Sequence, residues 1–309
     1  MKNLLLAFLS VAVFSCNSTK EAAAQMTRVD YANSITANDI KTKLYIIAGD
    51  EMEGRMTGSD GQKKASAYIK DFYKNQGISA PAGITNYSQP IPESYFGRMK
   101  EPKPSENIVA FIKGSEKPDE IIVLSAHYDH VGTDKDGNGP KRSILFLHVT
   151  GEEIGLYGSR YYTDNPIFPL ANTVVDLNTD MIGRIDPDKA DNPNYIYLIG
   201  SEMLSKELKQ VSEDVNKQYA NLELDYKYDD PNDKNRFYYR SDHYNFAKNN
   251  VPIIFYFNGV HEDYHKMTDT PDKIEYDLMT KRTKLIFQTA WEIANRENRI
   301  VVDKVDDKG

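Results

Sequence analysis

Six side chains in this sequence are of the kind that handle metals and protons. His127 and Asp129 stand two apart in "SAHYDH", Glu152 and Glu153 are adjacent in "VTGEE", Asp180 sits in "NTDMIGR" and His265 in "HEDYHKMTDTPDKI". Imidazole nitrogen and carboxylate oxygen are zinc ligands, and a carboxylate outside the coordination sphere can move a proton. Taken singly, each has a plainer reading. His-x-Asp is commonly structural, paired acids favour a helix N-terminus, Asp180 can cap the following segment, and His261 competes with His265. Taken together, their placement reverses those odds.

The placement follows from apolar runs of strand length: "NIVAFI" at 107, "IIVLSA" at 121, "SILFLHVT" at 143, "TVVDLN" at 173, "YIYLI" at 195 and "PIIFYF" at 252. Several are apolar on both faces, which suits strands buried between helices. His127 with Asp129, Glu152 with Glu153, Asp180, and His265 each follow a different one of these runs. In open α/β sheets the binding crevice lies beyond the carboxyl ends of the strands, so a shared direction would gather all four groups. Covering helices are expected over 61–77, where Ala65, Tyr68, Ile69 and Phe72 share a face, over 202–219, and over 277–297 with its stripe of Leu278, Leu285, Ile286, Ile293 and Ala294. Residues 79–106, rich in Pro, Ser and Gly, read as an irregular connection. The predicted fold class is α/β, a three-layer sandwich with a mostly parallel central sheet flanked by helices.

The chain has 309 residues, enough for one large α/β domain, and its net charge of −8 with no basic stripe argues against nucleic acid as a partner. After Lys2 comes "LLLAFLSVAVFS" and then Cys16, the single cysteine, a pattern of export signals that is short for a bilayer span. Ser15 before that lone cysteine is similar to the processing site of bacterial lipoproteins; an ordinary signal cut nearby is the alternative. The expected organisation is therefore a lipoprotein-type signal peptide over 1–16, a polar tether over 17–25 and a single catalytic-type domain over 26–309. The protein would be exported, and any membrane attachment would run through a lipidated Cys16. One cysteine leaves no internal disulfide, so stability rests on the core and any metal.

"SAHYDH", "VTGEEIGLYGSRYY", "NTDMIGR" and "HEDYHKMTDTPDKI", with "EMEGRMTGSDGQKKASAYI" upstream, resemble in order the M28 family of zinc peptidases, mostly aminopeptidases. The resemblance runs from about Leu44 to Ile286. It implies two neighbouring zinc ions, one on His127 and Asp180 and the other on Glu153 and His265. It also implies Glu152 as general base, Asp129 as the carboxylate that orients the His127 ring, and Tyr264 as an oxyanion donor. A peptide would be the substrate, and carboxylates gathered at the site would suit its free α-amino group.

The sequence departs from that family in one place. A metal-bridging carboxylate in a motif like "GADD", and a long helix after it, belong between His127 and Glu152. Only 24 residues separate the two here, and "GTDKDGNGPKR" carries no helical stripe. A bare loop of roughly 17 residues reaches about 55 Å against about 20 Å for a six-residue strand, so it can still run back between parallel neighbours. The sheet face that the helix would bury is then expected to be exposed. Two protein ligands per ion, without the bridging anion, point to a single zinc or to weak binding of both, Asp134 or Asp136 being the possible substitutes.

Three readings follow. The first is a zinc aminopeptidase; the second is a catalytically impaired lipoprotein that binds peptide or metal; the third is a glutaminyl cyclase-like enzyme, placed last because "SDHYNFAKNNVPIIFY" is more similar to the peptidase branch. Asp242 in that stretch is expected to cap a helix, and Phe255 and Phe257 to fill the core.

Overall fold

The structure, a computed structural model, describes residues 27–97, 103–127 and 140–304. The signal, the tether and Cys16 lie outside the described residues, as do Asp129, Asp134 and Asp136. No helix among the described residues is long and apolar enough to cross a membrane.

Each of the six apolar runs becomes a strand of one eight-stranded sheet. They are β2 (Ser105–Ile112), β3 (Lys117–His127), β4 (Arg142–Val149), β5 (Thr173–Thr179), β6 (Tyr195–Ile199) and β8 (Ile253–Phe257). The short edge strands β1 (Ser88–Ile91) and β7 (Glu223–Asp225) complete it, in the order β1-β2-β4-β3-β5-β8-β6-β7. β1 lies in the stretch read from sequence as irregular, because a four-residue edge strand containing Pro90 carries almost no periodic signal. The centre of the sheet, β4-β3-β5-β8, is parallel throughout, while the β1-β2, β2-β4 and β6-β8 pairings are antiparallel.

Helices cover both faces. On one face lie α1 (Arg28–Ser34), α2 (Ala37–Ile47), α5 (Lys206–Val215) and the twenty-residue α7 (Tyr276–Asn295), while α3 (Asp60–Asn75) packs on β2. On the other lie α4 (Tyr157–Asp164) and α6 (His243–Ala247). Ser59 starts α3 by accepting from the Gln62 amide, and Ala65, Ile69 and Tyr73 form its buried stripe. In α7 the buried stripe includes Met279 in place of the expected Leu278, together with Leu285, Ile286, Ile293 and Ala294. The end of α7 is tied to the sheet by the fully buried Arg142, which pairs with Glu120 and donates to the carbonyls of Ile293, Arg296 and Glu297. These groups satisfy the carbonyls that a helix C-terminus leaves free. Helix α5 ends at Val215 and passes into one π-turn over Asn216–Ala220, so the expected 202–219 helix is shorter and changes character midway.

β3 and β4 are parallel neighbours joined by residues 128–141, with no described helix between them. The sheet closes as the chain-length argument allows, and among the described residues one face is thinly covered. On β4, Leu145 and Leu147 point under α4 and α6 and are fully buried, whereas Ile144 and Phe146 on the opposite face are only half-buried, as is Leu124 beside them. A cavity of about 1480 Å³ opens there, lined by Ile40, Phe72, Leu124, Ile144, Phe146 and Trp291 among others, and it continues upward to His127 and Asp180.

Truncation should therefore cost differently on the two faces of β4. Leu145→Ala is expected to lose about 3 kcal/mol of unfolding free energy, and Ile144→Ala about 1 kcal/mol, since a half-buried side chain next to empty space gives up fewer contacts. Urea unfolding of the two variants measures this, and equal losses would show the Ile144 face to be closed.

Candidate metal centre

His127 is the last residue of β3 and Asp180 directly follows β5, the strand beside it. His127 Nε2 lies 3.3 Å from Asp180 Oδ1. The second oxygen of Asp180 accepts from the Ser241 hydroxyl at 2.9 Å. Ser241 Oγ accepts in turn from Asn178 Nδ2 at 3.0 Å, and Asn178 Oδ1 accepts from Ser125 Oγ at 3.0 Å. This chain runs through the buried middle of β3 and β5, so the Asp180 carboxylate is fixed from behind and not by its own loop. Burial works to raise the Asp180 pKa, but the His127 charge and hydrogen bonds from His127 and Ser241 outweigh it and hold the carboxyl below its ordinary value.

Glu152 and Glu153 occupy the turn between β4 and α4. Gly151 at φ +69 and Gly155 at φ +122 bracket them, the second in a region that only glycine enters readily. The turn is tied by Gly155 N and Leu156 N to the Glu152 carbonyl and by Tyr157 N to the Gly151 carbonyl. Glu153 Oε2 lies 2.9 Å from His265 Nε2, and the Tyr264 ring stacks on His265 with centroids 3.8 Å apart. Two His-carboxylate contacts thus stand at one end of the sheet, on the same cavity wall as Glu152.

Asp242 corrects the sequence reading. It makes no capping hydrogen bond; it is fully buried, with both carboxylate oxygens unpartnered. Its charge is the second cause, after burial, that raises the Glu152 pKa, with Asp180 and Glu153 adding to it and His127 opposing. Asp242 is raised too, first by burial, with the Asp180 and Glu153 charges adding to it and the His127 charge opposing. Burial also raises the Tyr264 phenol, which therefore keeps its proton at neutral pH. Four carboxylates and two imidazoles converge here, and like charges at such range are held together only by protons or by a cation. An unpartnered buried carboxylate and two ligand pairs suit a divalent ion. Zinc fits these donor types, which His127 with Asp180 and Glu153 with His265 would supply as two separate pairs.

Of the sequence-derived residues, His127, Glu152, Glu153, Asp180, Tyr264 and His265 come together, and Asp129 lies outside the described residues. His261 does not join them; its Nε2 faces Asp269 at 3.6 Å. Phe255 and Phe257 are core residues at 2% exposure each. Ser241, Asn178 and Asp176 were missed. The signal was available in "TVVDLNT", where two polar residues on one face of an otherwise buried strand demand partners.

The Peptidase family M28 model matches residues 133–290, just over half of the chain. The chain belongs to peptidase family M28. The match takes in Glu152, Glu153, Asp180, Tyr264 and His265 and begins six residues beyond His127. A probable zinc metalloprotease of Pyrenophora teres f. teres is 26% identical over 299 residues, 76% of this chain and 61% of that protein. The chain spans less than two thirds of the length of the first curated relatives it matches. Among solved structures, the Legionella pneumophila LapA aminopeptidase is similar at TM-score 0.67 and 16% identity, covering 96% of this chain and 81% of that one. A Bacteroides thetaiotaomicron glutaminyl cyclase is similar at TM-score 0.60 and 14% identity, covering 85% and 99%. Likeness at these identities concerns the fold.

The Asp176 carboxyl, fully buried on β5 below the site, supplies a pH test. Burial pushes it up to about 8, and the Asp242 charge adds to the rise. An unfolded chain releases this proton near pH 4, so between about pH 4 and pH 8 the folded state binds more protons and stability falls as pH rises. His243, lowered to about 3 by burial, acts in the opposite direction below about pH 6.5, so the comparison has to be differential. Wild type should lose about 1 kcal/mol per pH unit more than Asp176→Asn across about pH 5 to 8. Urea unfolding across that range checks it, and parallel slopes would refute it.

Proposed function

We propose that this protein is a zinc-dependent exopeptidase of aminopeptidase type. The observation that carries the reading is the pair of His-carboxylate contacts, 3.3 Å for His127–Asp180 and 2.9 Å for Glu153–His265, gathered beside Glu152 at the carboxyl end of parallel strands. Bound zinc would lower the pKa of a coordinated water and polarise the scissile carbonyl. Glu152, outside both contacts and ionised once a bound cation offsets the surrounding acids, takes the proton of the attacking water and hands it to the departing amine nitrogen. The Tyr264 hydroxyl donates to the developing oxyanion. Carboxylates not engaged in holding metal receive the free α-amino group of the substrate, which favours removal of N-terminal residues over internal cleavage. The protein would reach its peptides outside the cytoplasm, tethered through Cys16.

A second reading, a peptide- or metal-binding derivative with impaired turnover, is favoured by the half-covered sheet face and by the absence of a "GADD"-like motif between β3 and β4. Fold likeness to a glutaminyl cyclase supports the third reading no further than the fold.

Zinc content and hydrolysis of an aminoacyl-anilide panel, measured on one preparation with an N-terminal glutamine peptide beside it, separate the three. Under the first reading, Glu152→Gln abolishes turnover, by at least a thousandfold on the scale of lost acid-base catalysis, and leaves zinc content unchanged. His265→Ala lowers zinc content instead. Wild-type activity retained in Glu152→Gln would remove Glu152 from the base role, and zinc without turnover in wild type would favour the binder.

A further inference from the structure

His265 is poorly secured by its own surroundings. Its side chain is 55% exposed, its backbone is left-handed at φ +57, and Met267 two residues on is 99% exposed. A non-glycine residue in that region persists when neighbouring structure fixes it. The fixing groups are in view on either side of it. Arg184 Nη2 donates to Asp263 Oδ2 at 2.9 Å, and Nη1 donates to Asp269 Oδ1 at 2.7 Å. One guanidinium thus grips both ends of the segment that carries Tyr264 and His265. Asp263 also accepts from Lys273 Nζ at 2.7 Å and from the Thr268 hydroxyl at 2.6 Å, and its side chain is only 7% exposed.

Arg184 is itself anchored on the opposite side of the site. It lies four residues beyond Asp180, and its carbonyl and that of Ile182 accept from Arg282 Nη1 at 2.9 and 2.8 Å. Arg282 is fully buried on α7. The connection runs from α7 through Arg282 to the Asp180 segment, and through Arg184 to the His265 segment. His261, Asp263 and Asp269 bring ligand-type atoms within 4.8 Å of one another. The cationic Arg184 and Lys273 already balance Asp263 and Asp269 there, so the cluster reads as a brace and not as a further metal site.

We propose that the Arg184–Asp263 ion pair is a positioning element that sets the separation of Asp180 and His265, and with it the spacing between the two halves of the metal centre. The planar fork of arginine makes both contacts at fixed angles, which lysine cannot reproduce. The proposal rests on the reading of Asp180 and His265 as zinc ligands, and its test carries one measurement that does not.

Four full-chain variants, Asp263→Asn, Arg184→Met, Arg184→Lys and Arg296→Met, are compared with wild type. Arg296→Met breaks a partly buried ion pair with Glu207 away from the site and controls for general loss of stability. Trypsin cleavage after the exposed Lys266 reports loosening of the His265 segment without any metal, and zinc affinity is measured by competition with a chelator. Asp263→Asn and Arg184→Met should be cut at Lys266 at least tenfold faster and bind zinc at least tenfold more weakly. Arg184→Lys should fall between them and wild type, and Arg296→Met should change neither quantity. Cleavage and zinc binding at wild-type levels in Asp263→Asn would overturn the proposal, as would equal effects from Arg296→Met. Wild-type protein that takes up no zinc overturns the metal reading, and cleavage at Lys266 then decides the brace by itself.

Discussion

The shared direction of β4, β3, β5 and β8 is the constraint on which the remaining structure depends. Parallel neighbours bring their carboxyl ends to one edge of the sheet, and each of these four strands is followed by an acid or a histidine. The same geometry that makes a crevice therefore crowds Glu152, Glu153 and Asp180 against His127 and His265, and the start of α6 adds Asp242. Gathering so many acids raises the energy of the ionised site wherever water is thin, which is why Glu152 and Asp242 hold their protons above the ordinary range. A divalent cation relieves that energy directly. The metal reading thus comes from what the fold does to charge, independently of motif resemblance.

A site of this kind needs its ligands held from behind, and the two halves are held by different means. Asp180 is backed by a hydrogen-bonded line from Ser125 and Asn178, in the sheet, through Ser241, just before α6, all nearly solvent-free. Such a line keeps its geometry because each member has a partner and no water competes. His265 stands on a loop at the surface, where burial cannot fix it. Charge does so in its place, through Arg184, Asp263, Asp269 and Lys273.

What could be read from the sequence divides along the same line. The six core strands and helices α3, α5 and α7 were legible because runs of apolar residues at strand length, or at helical spacing, have few other uses. The convergence of His127, Glu153, Asp180 and His265 followed from strand ends alone. The edge strands β1 and β7 were not legible, since three or four residues carry too little pattern. Asp242 was misread for a different reason. An acid just before a helix suits a cap by composition, and only the packing of α6 under the sheet turns its carboxylate toward Glu152 and away from the helix amides. Arg184 and Asp263 are ordinary charged loop residues in one dimension, and their pairing exists only between segments 79 positions apart.

The half-covered face beside β4 bears on whether this chain turns over substrate. Among the described residues, Ile144, Phe146 and Leu124 are only half-covered on the side where His127 ends β3, and the cavity there is continuous with the site. An active site gains from excluding water, because electrostatic interactions strengthen as the local dielectric falls. A floor open to solvent weakens the attraction between cation and carboxylate, and so weakens the same interaction that holds the four acids together. The stability of the metal centre and the covering of this sheet face are therefore coupled. Whatever loosens the packing between α2, α3 and α7 should reach His127 first, because β3 delivers that side chain beside the thinly covered part of the described sheet, whereas Asp180 is held by the buried line through Ser241.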